Sequence, residues 1–132
     1  MTSPVCSIMI KDKLKRFNLN QAINSARANK FAAAKKKKDL EIDLMYLLRP
    51  LRDMRLSEKY KVCAHWLVPR LSADLDNLML KSVFDAMQTM GVLKNDDMHH
   101  IVEINHTFEN AKIKDQGVVI KFYKVGENEK SM

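Results

Sequence analysis

An apolar stripe in the second half of the chain constrains the fold more than any other feature. Seven apolar side chains recur at helical spacing over residues 75–90, and Gly91 stands where a glycine commonly ends a helix. They are Leu75, Leu78, Met79, Val83, Ala86, Met87 and Met90. The stripe predicts a helix of about 16 residues, roughly 24 Å long. Its apolar face needs a sheet or another helix to cover it.

Segments of strand and helix character flank this helix. Residues 32–51 combine alanines, lysines and regularly spaced leucines, which predicts a first helix that ends or kinks at Pro50. Alternating or short apolar segments predict four strands, over Pro4–Ile10, Lys61–Val68, Ile101–Phe108 and Val118–Val125. The order β-α-β-α-β-β predicts an α+β fold, with two main helices packed on one face of a small mixed β-sheet.

The length of the chain favours a single domain over residues 1–132. With three Gly and three Pro in 132 residues, the sequence has no Gly-rich or Pro-rich linker. A chain of this size can bury a core without disulfides or metal ions. Cys6 and Cys63 are isolated, so we expect reduced, chemically quiet thiols.

Positive charge is concentrated near the N-terminus. Residues 11–38 have ten basic side chains and one acidic one, a net charge of +9, whereas the other residues have 13 basic and 15 acidic, a net charge of −2. The predicted structure of residues 11–30 is a long exposed loop, because polar residues and asparagines dominate there. Such a local field indicates a polyanionic partner, and nucleic acid is favoured over a membrane surface.

A membrane-bound or secreted protein is not expected. No apolar run approaches the roughly 20 residues that span a bilayer, and the first residues lack the apolar core of a signal peptide. The sequence also lacks the glycine motifs of NTPases and dinucleotide-binding enzymes, the serine hydrolase elbow and the histidine spacing of zinc enzymes. We therefore expect a cytoplasmic protein outside these classes.

Acidic residues flank the predicted second helix on both sides. Asp74 and Asp76 stand at its start, and Asp96 and Asp97 follow its end. Each could be a helix cap or a turn residue. Together they could bind Mg²⁺, which prefers carboxylate oxygens. The predicted helix keeps its ends apart, so a bent loop or a second subunit would have to bring all four acids together.

Lys81 is a candidate phosphate ligand on the same helix. It follows Asp74 by seven residues, two helical turns, and should project from nearly the same face. In a phosphodiester-cleaving site it could stabilise developing negative charge. The alternative is an exposed lysine paired with Asp85 one turn later.

The succession of these residues resembles a known family. Asp74-Leu75-Asp76-Asn77-Leu78, followed by Lys81, Phe84-Asp85-Ala86, Gly91 and Asp96-Asp97, is similar to the RusA family of Holliday junction resolvases, common in bacteriophages and prophages. Weaker similarity extends upstream to the basic residues 19–38 and to His65-Trp66 before Pro69-Arg70. In all, the resemblance covers most of residues 19–97.

The resemblance implies an α+β fold, an intertwined homodimer and Mg²⁺-dependent cleavage of four-way DNA junctions, with Mn²⁺ as a substitute. Asp74, Asp76 and Asp97 match the metal-binding acids of the family, Asp96 is the adjacent acid, and Lys81 is the candidate for the essential lysine. Lys81 stands one residue later than in the family pattern, and Arg70 alone represents the arginines before the first aspartate. Phosphate contacts are therefore expected from Arg27, Lys30, Lys35, Lys36, Lys37, Lys38 and Arg70.

The leading hypothesis is a structure-selective endodeoxyribonuclease for DNA recombination and repair. A homodimer would nick two opposed strands of a branched DNA at symmetric positions. Two alternatives stay open. One is a DNA-binding or architectural protein without catalysis, and the other is a Mg²⁺ nuclease that acts on flaps, forks or RNA.

Overall fold

A four-stranded mixed sheet with two helices forms the described part of the protein. The computed structural model describes residues 3–17, 29–69 and 78–126. Its strands are β1 (Cys6–Lys11), β2 (Tyr60–Val68), β3 (Ile101–Asn110) and β4 (Gly117–Lys124), and its helices are α1 (Lys30–Leu47) and α2 (Lys81–Thr89). The strand order is β1-β4-β2-β3; β2 and β3 are parallel and the other neighbours antiparallel. The predicted α+β class with a mixed sheet is confirmed.

The core lies on one face of this sheet. Along β2, burial alternates residue by residue, so that Val62, Ala64 and Trp66 are fully buried. Opposite them on β4, Val118, Ile120 and Phe122 are also fully buried. Apolar side chains of both helices join the same core cluster, among them Leu44 of α1 and Met87 of α2. The apolar residues that alternate in the sequence of β2 and β4 are therefore the inward faces of these strands.

Helix α1 begins and ends with local signals that the sequence displays. The side chain of Asn29 accepts a hydrogen bond from the Ala32 N–H at 3.1 Å, which caps the first turn. The α-helix ends at Leu47, and one 3₁₀ turn over Arg49–Leu51 follows. Pro50 accounts for this end because it disfavours helical geometry at the preceding residue. The predicted end of the first helix is confirmed.

The described start of the segment expected as an exposed loop is folded and partly buried. Leu14–Phe17 forms a 3₁₀ turn in which Leu14 and Phe17 are buried. The ring of Phe17 meets that of Trp66 edge to face, with 5.8 Å between centroids. Lys30 belongs to α1 and not to a loop. The prediction of a fully exposed loop is therefore wrong for the described residues, since apolar side chains anchor its start to the core.

Helix α2 is shorter than the sequence predicts. It begins at Lys81, and residues 78–80 are not helical. The N–H of Met79 donates to the carbonyl of Phe17 at 3.1 Å, a bond between distant segments that takes the place of a helical one. The predicted end is confirmed, because Gly91 has a φ of 75° and donates its N–H to the Gln88 carbonyl. Nine residues make a helix of about 14 Å.

The late start of α2 bears on the predicted placement of Lys81 on one helix face with Asp74. Two helical turns between Asp74 and Lys81 require a continuous helix, and the non-helical residues 78–80 interrupt it. The prediction that these two side chains share one helix face is therefore wrong. Asp74 itself lies outside the described residues.

Gly117 is required by the close approach of β4 to β1. It pairs with Lys11, and a Cβ on Gly117 would overlap the carbonyl oxygen of Ile10. We expect Gly117→Ala to lower the free energy of unfolding by about 1–3 kcal/mol, the usual cost of overpacking. Urea denaturation measures the change. Gly126→Ala is the control, because a Cβ there meets no atom within 4 Å; equal midpoints for the two variants would contradict the close contact.

Strand β3 forms one edge of the sheet and is mostly uncovered. Only its first residue, Ile101, is buried. Ile104, His106 and Phe108 pair in register with Val62, Ala64 and Trp66, so they lie on the core side of the sheet. Ile104 and Phe108 nevertheless stay 43% and 41% exposed.

Neither described helix is long and apolar enough to cross a membrane.

Candidate functional site

A cleft lies between the start of α2 and the edge strand β3. Its volume is about 390 Å³. Apolar residues make most of its wall, and three polar residues, Lys81, Asp96 and His106, complete it. The apolar lining residues are Leu78, Met79, Leu80, Phe84 and Ile104. The cleft thus brings together a cation, a carboxylate and an imidazole from three separate segments of the chain.

Lys81 is the first residue of α2 and lines the cleft from there. Its Nζ lies 3.7 Å from Oδ2 of Asp85, and the Lys81 side chain is 63% exposed. The ion pair proposed as the alternative interpretation is therefore present. Exposed i,i+4 pairs of this kind contribute little free energy, so Lys81 can leave Asp85 for a stronger anion in the cleft.

Asp96 lines the same cleft. The Asp96 N–H donates to Oδ1 of Asn95 at 2.8 Å, which fixes the backbone of the turn after α2. Its carboxylate makes no hydrogen bond or ion pair within the described segments. A carboxylate without a partner beside a lysine is available to bind a cation or a hydrogen-bond donor.

Asp97 is engaged in the turn that leads into β3. Its Oδ1 accepts the His99 N–H and lies 3.0 Å from Nδ1 of His100. Its carbonyl accepts the N–H groups of His100 and Ile101. The hydrogen bond with His100, with smaller contributions from His99, lowers the pKa of Asp97 below its ordinary value. These contacts fit the turn interpretation, and the metal-binding role of Asp97 stays a prediction.

The lowered pKa of Asp97 has a consequence for acid stability. A carboxyl group whose pKa is lower in the folded protein contributes stability above its unfolded pKa, near 3.8, and loses it as the pH falls through the folded value. We therefore expect Asp97→Asn to make the unfolding midpoint less sensitive to pH below 3.8. Thermal melts of both proteins from neutral to acidic pH measure this. Parallel pH profiles would show that the carboxylate has no such role.

Sequence reasoning missed His106. Its Nδ1 lies 2.9 Å from Nε1 of Trp66, and the two rings are nearly parallel, at 15°, with 6.2 Å between centroids. Burial lowers the pKa of His106, which favours the neutral imidazole. The alternation of β3 places His106 on the side of Ile104 and Phe108, but only the pairing of β3 with β2 shows that this is the core side.

A second histidine lies on the opposite, open face of the sheet. Nδ1 of His65 is 2.6 Å from the Thr107 hydroxyl, and its Nε2 is 3.1 Å from a carboxylate oxygen of Glu109. All three side chains are on the neighbouring strands β2 and β3. These are cross-strand contacts on an exposed surface, which link the two strands.

The basic residues of α1 are separate from the cleft. Lys30, Lys35, Lys36, Lys37 and Lys38 are exposed, and the buried residues of α1 are Leu40 and Leu44, both after the lysine run. Thr89, at the end of α2, donates to Glu41 of α1 at 2.8 Å, whereas Lys81 is at the start of α2. None of these lysines of α1 lines the cleft.

Other predicted site residues lie outside the described segments. These are Arg27, Arg70, Asp74 and Asp76. Within residues 3–17, 29–69 and 78–126, no three His, Cys, Asp or Glu side chains are placed to hold a metal ion together. Mg²⁺ commonly uses one or two carboxylates together with water and substrate phosphate. The unpartnered carboxylate of Asp96 fits one such ligand.

Comparison with known proteins adds no relative. No protein-family model matches the chain, and no curated protein is significantly similar to it. The similarity to the RusA family therefore rests on the residues quoted above.

Proposed function

We propose that this protein is a Mg²⁺-dependent endodeoxyribonuclease that resolves four-way DNA junctions during recombination and repair. One observation carries the proposal most: Lys81 lines a single cleft with Asp96, whose carboxylate has no partner among the described residues. Leu78, which follows Asp76 by two residues in the sequence, also lines it. The acidic motif of the resemblance is thus contiguous in sequence with the cleft wall.

The proposed chemistry divides between acids and lysine. Asp96, with Asp74, Asp76 and Asp97 as the resemblance implies, would hold the metal ion. When bound, Mg²⁺ supplies an activated water molecule and stabilises charge on the phosphate. Lys81 would contact the scissile phosphate and offset its developing negative charge.

The first half of α1 is the proposed DNA-binding segment. Four consecutive lysines, Lys35–Lys38, are exposed there, and the first turn has no acidic residue. Like charges crowded on one helix repel one another, which is unfavourable for the helix itself. A polyanion bound beside this segment would remove the penalty. The sequence assigns three further residues to DNA binding: Lys30, Arg27 and Arg70.

A homodimer is part of the proposal. Strand β3 is a sheet edge, with exposed apolar side chains at Val102, Ile104 and Phe108. Such an edge is suited to a second copy of the chain, which would cover the apolar side chains. A two-fold symmetric dimer would present two equivalent clefts to two opposed strands of a junction. The proposed setting is the cytoplasm of a bacterial host.

Cleavage of synthetic DNA tests the proposal directly. A labelled four-way junction, a flap, a fork, a duplex and an RNA hairpin are incubated with the protein, in Mg²⁺ and in EDTA. We expect paired nicks at symmetric positions in the junction, in Mg²⁺ only. Tight junction binding without cleavage would instead identify an architectural protein. Faster cleavage of a flap, fork or RNA would identify a nuclease with another substrate.

A further inference from the structure

The cleft contains one polar side chain that the proposed chemistry does not use. His106 lines it together with Lys81 and Asp96, although it comes from the middle of β3. Its ring rests against Trp66, which is fully buried. His106 itself is exposed, so its hydrogen bond to this core residue is what orients the imidazole.

The contact with Trp66 also fixes which ring nitrogen of His106 has the proton. An indole N–H can only donate, so Nδ1 of His106, at 2.9 Å, must accept. The neutral ring then has its proton on Nε2, which is a donor. The imidazole therefore offers a single N–H group for a ligand, and protonation at Nδ1 would leave the buried Trp66 N–H without its acceptor.

We propose that Nε2–H of His106 donates a hydrogen bond to a non-bridging phosphate oxygen of DNA in the cleft, beside the Lys81 ammonium. The proposal rests on the function proposed above, because it needs DNA in the cleft. A neutral donor is well suited to this position. It binds a phosphate oxygen without adding a positive charge that would compete with a metal ion at Asp96.

Two substitutions separate the roles of the two ring nitrogens. In His106→Asn, the amide oxygen can take the place of Nδ1 and keep the acceptor for Trp66, while the Nε2 donor is lost. In His106→Gln, the longer side chain can return an N–H donor near the position of Nε2. We expect both variants to fold, as judged by Trp66 fluorescence and thermal melts.

Junction cleavage under single-turnover conditions provides the first readout. We expect His106→Asn to lower the cleavage rate about 100-fold, the usual effect of removing one donor from a developing charge. His106→Gln should recover at least part of this loss. Equal rates for His106→Asn and the wild-type protein would overturn the proposal and leave the nuclease function intact.

NMR of the imidazole nitrogens provides a readout that does not depend on cleavage. With junction DNA in EDTA, we expect the Nε2 resonance of His106 to shift, while that of His65 on the opposite face stays unchanged. An unshifted His106 in the bound complex would overturn the proposal. A shifted His106 in a protein that cleaves no DNA would instead support phosphate binding in the cleft and overturn the nuclease function.

Discussion

Asp96→Asn is expected to lower the rate of junction cleavage roughly 100-fold or more without changing the fold. Asp96 lines the cleft, and its carboxylate makes no hydrogen bond or ion pair among the described residues, so the amide breaks no contact there. A metal ion stabilises a phosphoryl transition state by several kcal/mol, and each 1.36 kcal/mol corresponds to a tenfold rate change. Losing one ligand therefore has a large effect on rate.

The measurement is single-turnover cleavage of a labelled junction across a series of Mg²⁺ concentrations. Asp53→Asn is the matched control, because Asp53 is a 95% exposed carboxylate in the turn after α1. We expect the control to cleave at the wild-type rate. Wild-type cleavage by Asp96→Asn would remove this residue from the site.

The acids implied by the resemblance are tested in the same assay. Asp76→Asn should also abolish most cleavage, since the resemblance assigns Asp76 to the metal. Asp97→Asn is informative because Asp97 serves the turn before β3 in the structure. Loss of cleavage in Asp97→Asn with an unchanged melting temperature would favour the metal role that the resemblance implies. Loss of cleavage together with a lower melting temperature would favour the turn role.

Replacing Lys35, Lys37 and Lys38 by Ala is expected to produce the largest loss of DNA affinity. Alanine favours helix, so α1 should persist. Each lysine that neutralises a phosphate adds about 0.9 to the slope of log affinity against log salt. If all three lysines contact DNA, the slope should decrease by about 2 to 3, with the affinity loss greatest at low salt.

A charge-matched variant makes this result specific to α1. Lys112, Lys114 and Lys121 are exposed residues in the β3–β4 connection and on β4, so their replacement removes the same net charge elsewhere. Fluorescence anisotropy with a labelled junction in EDTA, over a range of salt concentrations, gives the slopes. We expect the control slope to stay near that of the wild-type protein. Equal slopes for the two triple variants would show a diffuse charge effect and contradict specific DNA binding by α1.

Much of the secondary structure follows from the sequence because the signals are local. The alternation over β2 determines which side chains are buried, and the Pro50 ring explains why α1 ends before it. Gly91 ends α2 by adopting a positive φ. Local signals do not predict the start of α2. The Met79 N–H donates to the carbonyl of Phe17, which belongs to a distant segment of the chain.

The sequence by itself determined the α+β class, the buried faces of β2 and β4 and the separation of a basic segment from a cluster of acids, since each follows from neighbouring residues. Only the tertiary structure decided that β3 lies beside β2 in parallel register. That pairing sets His106 against Trp66 and, with the turn after α2, places it in one cleft with Lys81 and Asp96. Strand order and register depend on contacts between residues far apart in the chain, and no local pattern specifies them.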